Sequence, residues 1–179
     1  MKVIVLDRDG VINQDSDDYI KSPEEWIPLP GSIEAIARLY SHGYRIIVAT
    51  NQSGIARGLL DIQALHAMHA KMDKLLAEHG AKIDAVFFCP HRDEDACQCR
   101  KPKPGLLQDI AQRLNVSYCE LIVVGDALRD IQAAQAVGAQ PVLVRTGKGQ
   151  RTIDADIDLT GVPIYDDLAD FATQLLCQP

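Results

Sequence analysis

The sequence of 179 residues is poor in features that mark several large classes of protein. It has no apolar run of about 18 residues, the length that a membrane-spanning helix needs. Its first residues lead straight into a short apolar stretch and two carboxylates, without the basic start and long apolar core of an export signal. Its net charge of −7 argues against nucleic acid or an anionic membrane as a partner. We therefore expect a cytoplasmic monomer without nucleic-acid or membrane partners.

Cysteine is also scarce, and an odd count of five in a chain without an export signal speaks against a disulfide framework. Three of the five, Cys89, Cys97 and Cys99, lie close together beside His91. Three thiolates and an imidazole are the ligand set of a closed tetrahedral zinc site. Because four protein ligands leave no open position, we predict a structural Zn²⁺ that stabilises this loop. The alternative is a set of unliganded thiols and a surface histidine.

What the sequence does contain is a regular alternation of apolar, β-branched runs with helical patterns. Nearly continuous apolar runs are typical of strands covered on both faces, so the alternation predicts a Rossmann-like α/β fold, with a parallel sheet flanked by helices on both faces. The length suits a single domain over residues 1–179. Strands are predicted at Val3–Leu6, Arg45–Ala49, Ile83–Phe88, Leu121–Val124 and Pro141–Val144, with an edge strand near Ile164, and helices at Ser32–Tyr40, Asp61–Glu78, Leu106–Leu114, Leu128–Val137 and Asp167–Leu176.

Carboxylates follow two of these strands, and in open parallel sheets ligands bind beyond the carboxyl ends of the strands. Asp7 and Asp9 come after the first strand, and residues two apart in an extended segment point the same way. Asp126 follows the fourth strand. Because Mg²⁺ prefers oxygen ligands, we predict that Asp7, Asp9 and Asp126 hold it. The alternative is a turn with solvated aspartates, and Asp130 is left with two open roles, orienting Asp126 or capping a helix.

Two further segments have the composition of an anion site. Thr50–Gly54 follows the second strand and offers hydroxyl and amide groups that can surround phosphate oxygens. Arg100, Lys101 and Lys103 form a basic cluster in an otherwise acidic chain and are suited to hold an anion. A solvated basic patch is the alternative interpretation of these three residues.

A carboxylate pair, a metal and a phosphate cradle together predict phosphoryl transfer. In this interpretation Asp7 is the nucleophile that attacks phosphorus. Asp9 protonates the leaving oxygen and then activates water against the aspartyl phosphate. Thr50 and Lys101 stabilise the transferring phosphoryl group.

These motifs occur in the order found in the haloacid dehalogenase superfamily of phosphotransferases, which the chain resembles. The superfamily motifs correspond here to Asp7–Gly10 (DRDG), Thr50, Lys101–Pro104 (KPKP) and Gly125–Asp130 (GDALRD). The resemblance covers most of the chain and implies a magnesium-dependent hydrolase. Only about forty residues separate Asp9 from Thr50, so we expect no cap domain over the site.

A closer resemblance is carried by LDRDGVIN, TNQSGIARG, the CPH and CQCRKPKPG segments of the zinc loop, and VLVRTGKG. It is to D-glycero-D-manno-heptose-1,7-bisphosphate 7-phosphatases and their relatives, the histidinol-phosphatases. The first family implies removal of the 7-phosphate in the synthesis of nucleotide-activated heptose for lipopolysaccharide, and the second implies histidine biosynthesis. The resemblance implies substrate contacts from Asp15, Ser16, Asp17, Asp18, Thr50, Asn51, Gln52, Ser53, Arg100 and Lys101.

The partner that these features imply is a small phosphosugar. A capless site is open, so we expect specificity to come from loop residues such as Arg100, which suits a second anionic group on the substrate. That favours a sugar bisphosphate over histidinol phosphate, which carries a cationic amine. A phosphosugar-binding module without activity is the alternative from another class, although such a module would have no need of the pair Asp7 and Asp9.

Overall fold

Strand β1 lies inside a parallel sheet of six strands in the computed structural model, which describes residues 2–177. The central position of β1 follows from its sequence, since all four of its residues are apolar and fully buried. In chain order the strands are β1 (Val3–Leu6), β2 (Arg45–Asn51), β3 (Ala85–Cys89), β4 (Leu121–Gly125), β5 (Gln140–Val144) and β6 (Ile164–Tyr165). Their order across the sheet is β3-β2-β1-β4-β5-β6.

Helices cover both faces of this sheet. They are α1 (Ser32–Ser41), α2 (Ile62–Glu78), α3 (Gly105–Leu114), α4 (Leu128–Val137), α5 (Gly149–Asp154) and α6 (Leu168–Leu176). Side chains of β1 alternate between the two layers: Ile4 and Leu6 pack in the core with α1, α2 and α6, whereas Val3 and Val5 pack with α3 and α4. The predicted α/β architecture is therefore confirmed.

The predicted strands and helices agree with the structure to within one or two residues at most ends. Strand β3 begins two residues later than predicted, because Asp84 turns its carboxylate back to the backbone N–H of Ile46 and to Arg45. Asp61 precedes α2 as its N-cap, where its carboxylate accepts a hydrogen bond from the backbone of Ala64 at 2.7 Å. Helix α5 was not predicted.

Residues 10–30, which we call the flap, connect β1 to α1 without forming a helix of their own. Backbone hydrogen bonds from Gln14 to Ile27 and from Leu29 to Ile12 pair the two arms of the flap. Trp26 is fully buried in the core below it, as expected for a packing residue. Between Asp9 and β2 the flap is followed by α1 alone, so the described chain has no inserted cap domain over the sheet. None of the helices in residues 2–177 has the length and apolar character to cross a membrane.

Candidate functional site

A polar cavity of about 170 Å³ opens at the carboxyl ends of β1, β2 and β4, where the sequence predicted a ligand. Asp7 and Asp9 both line it, as do most of the residues predicted to contact substrate. Those lining residues are Asp15, Ser16, Asp17, Thr50, Asn51, Gln52, Ser53 and Arg100. Asp18 is exposed and does not line the cavity. Lys101 does not line the cavity either, because its side chain is almost fully buried.

Asp7 is held as an ionised carboxylate at the floor of the cavity. Its Oδ1 accepts a hydrogen bond from the backbone N–H of Arg8 at 2.8 Å and lies 3.1 Å from Lys101 Nζ. Burial alone raises the pKa of Asp7, but the positive charges of Lys101 and Arg129 outweigh it and hold the pKa below its usual value. An ionised carboxylate open to the cavity can act as a nucleophile.

Asp126 and Asp130 approach Asp7 so closely that oxygen atoms of the three carboxylates lie within 4.8 Å of one another. Burial, with the charges of Asp7 and Asp130, raises the pKa of Asp126 to about 8. One oxygen of Asp126 accepts a hydrogen bond from the backbone of Lys148 at 2.8 Å, while its buried Oδ1 has no partner. A divalent cation fits this arrangement, since it would satisfy that oxygen and relieve the repulsion.

Both oxygen atoms of the third carboxylate in this group, that of Asp130, already have partners within the protein. Its Oδ1 lies 2.6 Å from Lys101 Nζ, and its Oδ2 accepts a hydrogen bond from the backbone of Ala127 at 3.1 Å. Asp130 therefore positions Lys101 and caps the start of α4, which leaves Asp7 and Asp126 as the residues that could hold a metal. Lys101 is charged, because the attraction of Asp130 and Asp7 outweighs the lowering of its pKa by burial.

Two glycines enclose the carboxylate of Asp126. Gly10 follows β1 with φ of 83°, and Gly147 follows β5 with φ of 56°, a region that side-chain-bearing residues rarely adopt. A Cβ atom on either glycine would collide with Asp126 Oδ2. The loops after β1 and β5 can therefore meet at this carboxylate only because both positions lack a side chain.

Asp9 is surrounded by hydrogen-bond donors instead of carboxylates. Its Oδ1 accepts from Arg8 Nη2 at 2.8 Å and from Asn13 Nδ2 at 2.8 Å, and its Oδ2 accepts from Gln52 Nε2 at 2.9 Å. The guanidinium of Arg8, fully buried, thus fixes the direction of Asp9. The structure places Asp9 beside the cavity but outside the carboxylate group of Asp7 and Asp126, which suits proton transfer better than metal binding.

The loop after β2 and the basic segment after the zinc loop are joined at the cavity floor. Asn51 exchanges two hydrogen bonds with the backbone of Lys101, of 3.0 and 3.1 Å. The Thr50 hydroxyl accepts a hydrogen bond from Gln52 Nε2 at 3.0 Å, and Lys101 Nζ also donates to the carbonyl of Ala49 at 2.7 Å. Thr50 lines the cavity together with Asp7, and Lys101 Nζ lies 3.1 Å from Asp7, so both could contact a transferring phosphoryl group.

Cys89, His91, Cys97 and Cys99 form a compact cluster, which we call the zinc knot. Five distances between their sulfur and Nδ1 atoms fall between 3.2 and 3.6 Å. Zinc with Zn–S bonds of about 2.3 Å in a tetrahedron would place its sulfur ligands about 3.8 Å apart. The observed distances are slightly shorter, so a small outward movement of the side chains would give the predicted ligands the spacing of a tetrahedral zinc site. All four cysteine and histidine side chains converge without a disulfide.

The knot connects to the cavity through Arg100. Its Nε donates to Asp93 at 2.6 Å, and its Nη1 donates to the carbonyl of His91 at 3.4 Å. Lys103 points the other way and donates to the carbonyls of Cys97 at 2.6 Å and Ala96 at 3.3 Å. Lys103 therefore supports the knot, whereas Arg100 reaches the cavity wall.

Four residues line the cavity that the sequence analysis did not assign: Tyr19, Ile20, Arg129 and Lys148. Lys148 Nζ lies 3.2 Å from Asp15 and 3.5 Å from Asp17, and so links the flap to the loop after β5. Lys148 lies in the segment VLVRTGKG, which supported the family resemblance without indicating a role for this lysine. Arg129 was visible as the basic residue between Asp126 and Asp130, but its direction depends on the turn into α4.

Comparisons with known proteins agree with this site. Residues 98–171 match the family described as "HAD-hyrolase-like". The chain is 53% identical over 174 residues to a D-glycero-beta-D-manno-heptose-1,7-bisphosphate 7-phosphatase of Pseudomonas aeruginosa, covering 97% of each protein. It is 52% identical over 176 residues to the enzyme of the same name from Bordetella bronchiseptica, covering 98% of each.

Solved structures point to the same group. A D,D-heptose 1,7-bisphosphate phosphatase from B. bronchiseptica, in complex with magnesium and phosphate, superposes with a TM-score of 0.97 at 51% identity, over 100% of both chains. The phosphatase of that name from Burkholderia thailandensis gives a TM-score of 0.79 at 47% identity, over 99% of this chain and 100% of the other. With these relatives, its motifs and its capless fold, the chain belongs to the haloacid-dehalogenase-like family of heptose-1,7-bisphosphate 7-phosphatases.

Proposed function

We propose that this chain is a magnesium-dependent phosphatase, a single domain over residues 1–179, that removes the 7-phosphate of D-glycero-β-D-manno-heptose 1,7-bisphosphate. The observation that carries the proposal is the cavity lined by Asp7, Asp9 and Thr50, with Lys101 Nζ 3.1 Å from Asp7. The relatives named above bear that activity in their names, and a sugar bisphosphate fits a cavity with cations on its walls. The β anomer is proposed because the relatives are named for it.

The first step is attack of Asp7 on the phosphorus atom. The new bond joins a carboxylate oxygen of Asp7 to phosphorus, and the bond that breaks joins phosphorus to the sugar oxygen. Lys101 faces the reacting group with a buried positive charge, and Thr50 offers a hydroxyl, so both would offset the charge that develops on the phosphoryl oxygens. The product of this step is an aspartyl phosphate on Asp7.

Magnesium would be held by Asp7 and Asp126, whose buried carboxylates need a cation between them. When bound, it neutralises the charge between the carboxylate of Asp7 and an incoming phosphate. The protein itself supplies the orientation, because Lys148, Gly10 and Gly147 fix the carboxylate of Asp126 in place.

Asp9 supplies the proton. We assign it the transfer of a proton to the departing sugar oxygen in the first step. In the second step it takes a proton from the water that attacks phosphorus, which regenerates Asp7 and releases inorganic phosphate. The donors around Asp9 hold its carboxylate toward the cavity in both steps.

The zinc knot is proposed to be structural. Its four ligands leave no open position for substrate, and the knot holds Arg100 at the cavity wall through His91. Zinc would then act on the reaction only by fixing the loop that carries Arg100 and Lys101.

The test is phosphate release with Mg²⁺ from heptose 1,7-bisphosphate and from histidinol phosphate, measured side by side. We expect strong preference for the bisphosphate in the wild-type chain. Asp7→Asn should lower the rate by more than about 10³-fold, because the nucleophile is lost. The matched control is Asp109→Asn on α3, an aspartate that pairs with Arg113 far from the cavity and should leave the rate unchanged.

Preference for histidinol phosphate would retain the chemistry and contradict the substrate assignment. Retained activity in Asp7→Asn would contradict the nucleophile. Release from neither compound, with the circular dichroism of the fold intact, would contradict the proposed substrate class altogether.

A further inference from the structure

Three cations line the cavity, and two of them are already paired with carboxylates. Arg100 donates to Asp93 at 2.6 Å, and Lys148 lies 3.2 Å from Asp15. Arg129 differs from both, since within residues 2–177 its guanidinium makes no hydrogen bond and no ion pair shorter than 4.0 Å. A cation on a cavity wall without a partner is available to an anionic ligand.

Arg129 lines the cavity from the start of α4. It is the second residue of α4, and its Nε is buried without a partner. Burial lowers the pKa of Arg129, but the nearby carboxylates of Asp7, Asp130, Asp126 and Asp15 raise it more. Of these four, Asp7 and Asp15 line the cavity, and Asp15 belongs to the flap. The guanidinium therefore interacts electrostatically with Asp7 after β1 and with Asp15 of the flap.

We propose that Arg129 is a specificity-determining residue that holds the second phosphate of the substrate, the one that is not transferred. The inference rests on the proposed function and deepens it, because it names a residue that would cause the preference for a bisphosphate. It adds Arg129 to Arg100, which the sequence alone suggested for this role.

The distribution of charge explains why Arg129 serves the second phosphate and not the first. The transferring group already has Lys101 and Thr50 beside Asp7. Arg100 must give up its contact with Asp93 before it can turn fully to a ligand. Arg129 has no such bond to break, and a guanidinium offers two parallel N–H groups that match two phosphate oxygens.

The experiment compares two sugars that differ only in this group, heptose 1,7-bisphosphate and heptose 7-phosphate, in wild type, Arg129→Gln and Arg129→Lys. We expect Arg129→Gln to raise KM for the bisphosphate about 10- to 100-fold, since a charged hydrogen bond pair is lost. For the monophosphate KM should stay within about twofold, and kcat should change little for either sugar. Arg129→Lys should recover part of the affinity, because the charge is retained.

Arg113→Gln is the matched control, an exposed arginine on α3 that pairs with Asp109 outside the cavity. It should leave both sugars unaffected. If Arg129→Gln weakened both sugars equally, Arg129 would serve only to offset the charge of the aspartates, and the proposal would be wrong. An unchanged KM for the bisphosphate would also overturn it.

These outcomes differ from failure of the proposed function. In that case the wild-type chain would release phosphate from neither sugar, and the inference, which rests on that function, would fall with it. A wild-type chain that prefers the bisphosphate, with no change in Arg129→Gln, overturns the role of Arg129 alone.

Discussion

The zinc knot and the group of Asp7, Asp126 and Asp130 are the two clusters in the described residues that could hold a metal ion, and they differ in construction. In the knot five distances between the sulfur and Nδ1 atoms fall between 3.2 and 3.6 Å, so four ligand atoms are available to one ion. The three carboxylates lie within 4.8 Å of one another, and one of them, Asp7, lines the cavity. A closed set of four ligands can only support the fold, whereas a set with an open position leaves room for a reaction.

Two lysines of one short segment divide between these clusters. Lys101 points inward, where its Nζ lies 3.1 Å from Asp7 and 2.6 Å from Asp130. Lys103, two residues later, donates to the carbonyl of Cys97 in the knot at 2.6 Å. Lys101 thus offsets buried negative charge near the cavity, whereas Lys103 stabilises the backbone of the knot by a hydrogen bond.

The largest effect is expected from Lys101→Met, which leaves two buried carboxylates without their cation. Breaking a buried ion pair costs about 3–5 kcal/mol, and for a chain of this size each kcal/mol lowers Tm by roughly 2–4 °C. Phosphate release should fall by at least about 10²-fold, because the charge that faces the phosphoryl group is gone. Calorimetry and steady-state assays measure the two effects. Equal losses in Lys103→Met would contradict the division between the lysines.

A smaller but clear effect is expected from Cys97→Ser, which opens the knot. Loss of one ligand should release the zinc ion and destabilise the fold by about 3 kcal/mol. We expect Tm to fall by roughly 6–12 °C and the bound zinc, measured by atomic emission, to disappear. Cys119→Ser is the control, since Cys119 is exposed and outside the knot. A zinc content that survives in Cys97→Ser would show that the knot is not closed as proposed.

The carboxylate group should make the stability of the fold depend on pH, through the protonation of Asp126. The folded chain without metal keeps a proton on Asp126 up to about pH 8, whereas the unfolded chain releases it near pH 4. This proton stabilises the folded state at low pH, and its contribution is lost as the pH rises from about 4 to about 8. Wild type should therefore lose stability relative to Asp126→Asn over that interval, as measured by Tm without Mg²⁺. Added Mg²⁺ should raise Tm more at pH 8 than at pH 5, and identical pH slopes in both proteins would refute the assignment.

The smallest effect is expected from Lys103→Met. Its Nζ braces two carbonyls of the knot without touching a ligand atom, and such supporting contacts change metal affinity by about 10-fold at the low end. Competition with a chelator should reveal weaker zinc binding. Phosphate release under zinc-saturating conditions should stay within about twofold of wild type.

The orientation of Asp9 shows where sequence reasoning stops. Alternation of side chains holds within a strand, but β1 ends at Leu6, and the chain turns immediately after it. Arg8 then folds onto Asp9, and Asn13 from the flap joins it. The chemical nature of Asp9 could be read from the motif, but its separation from the carboxylates depends on contacts with residues in other segments.

The positions of the strands, in contrast, do not depend on particular contacts with other segments and could be predicted from the sequence. Each strand is an apolar run that must be buried on both faces, so burial alone specifies it. Helix α5 is a six-residue helix, GQRTID, with too few apolar residues to show a period, and it is held by Thr152, whose hydroxyl donates to the carbonyl of Asp126. Arg129 escaped prediction for a related reason, because the first turn of a helix can direct a side chain toward either neighbour.

The contact of Gly10 and Gly147 with Asp126 has a consequence for how this enzyme can change over generations. Two loops that lie more than 130 residues apart in the chain are constrained together, since even a methyl group at either position would displace the same carboxylate. Substitution of either glycine is therefore disfavoured by contact with Asp126. No such contact with a glycine constrains Asp15–Asp18 in the flap or Arg129 on the cavity wall. New substrate preferences can therefore arise at the walls of the cavity while its metal-binding floor is inherited unchanged.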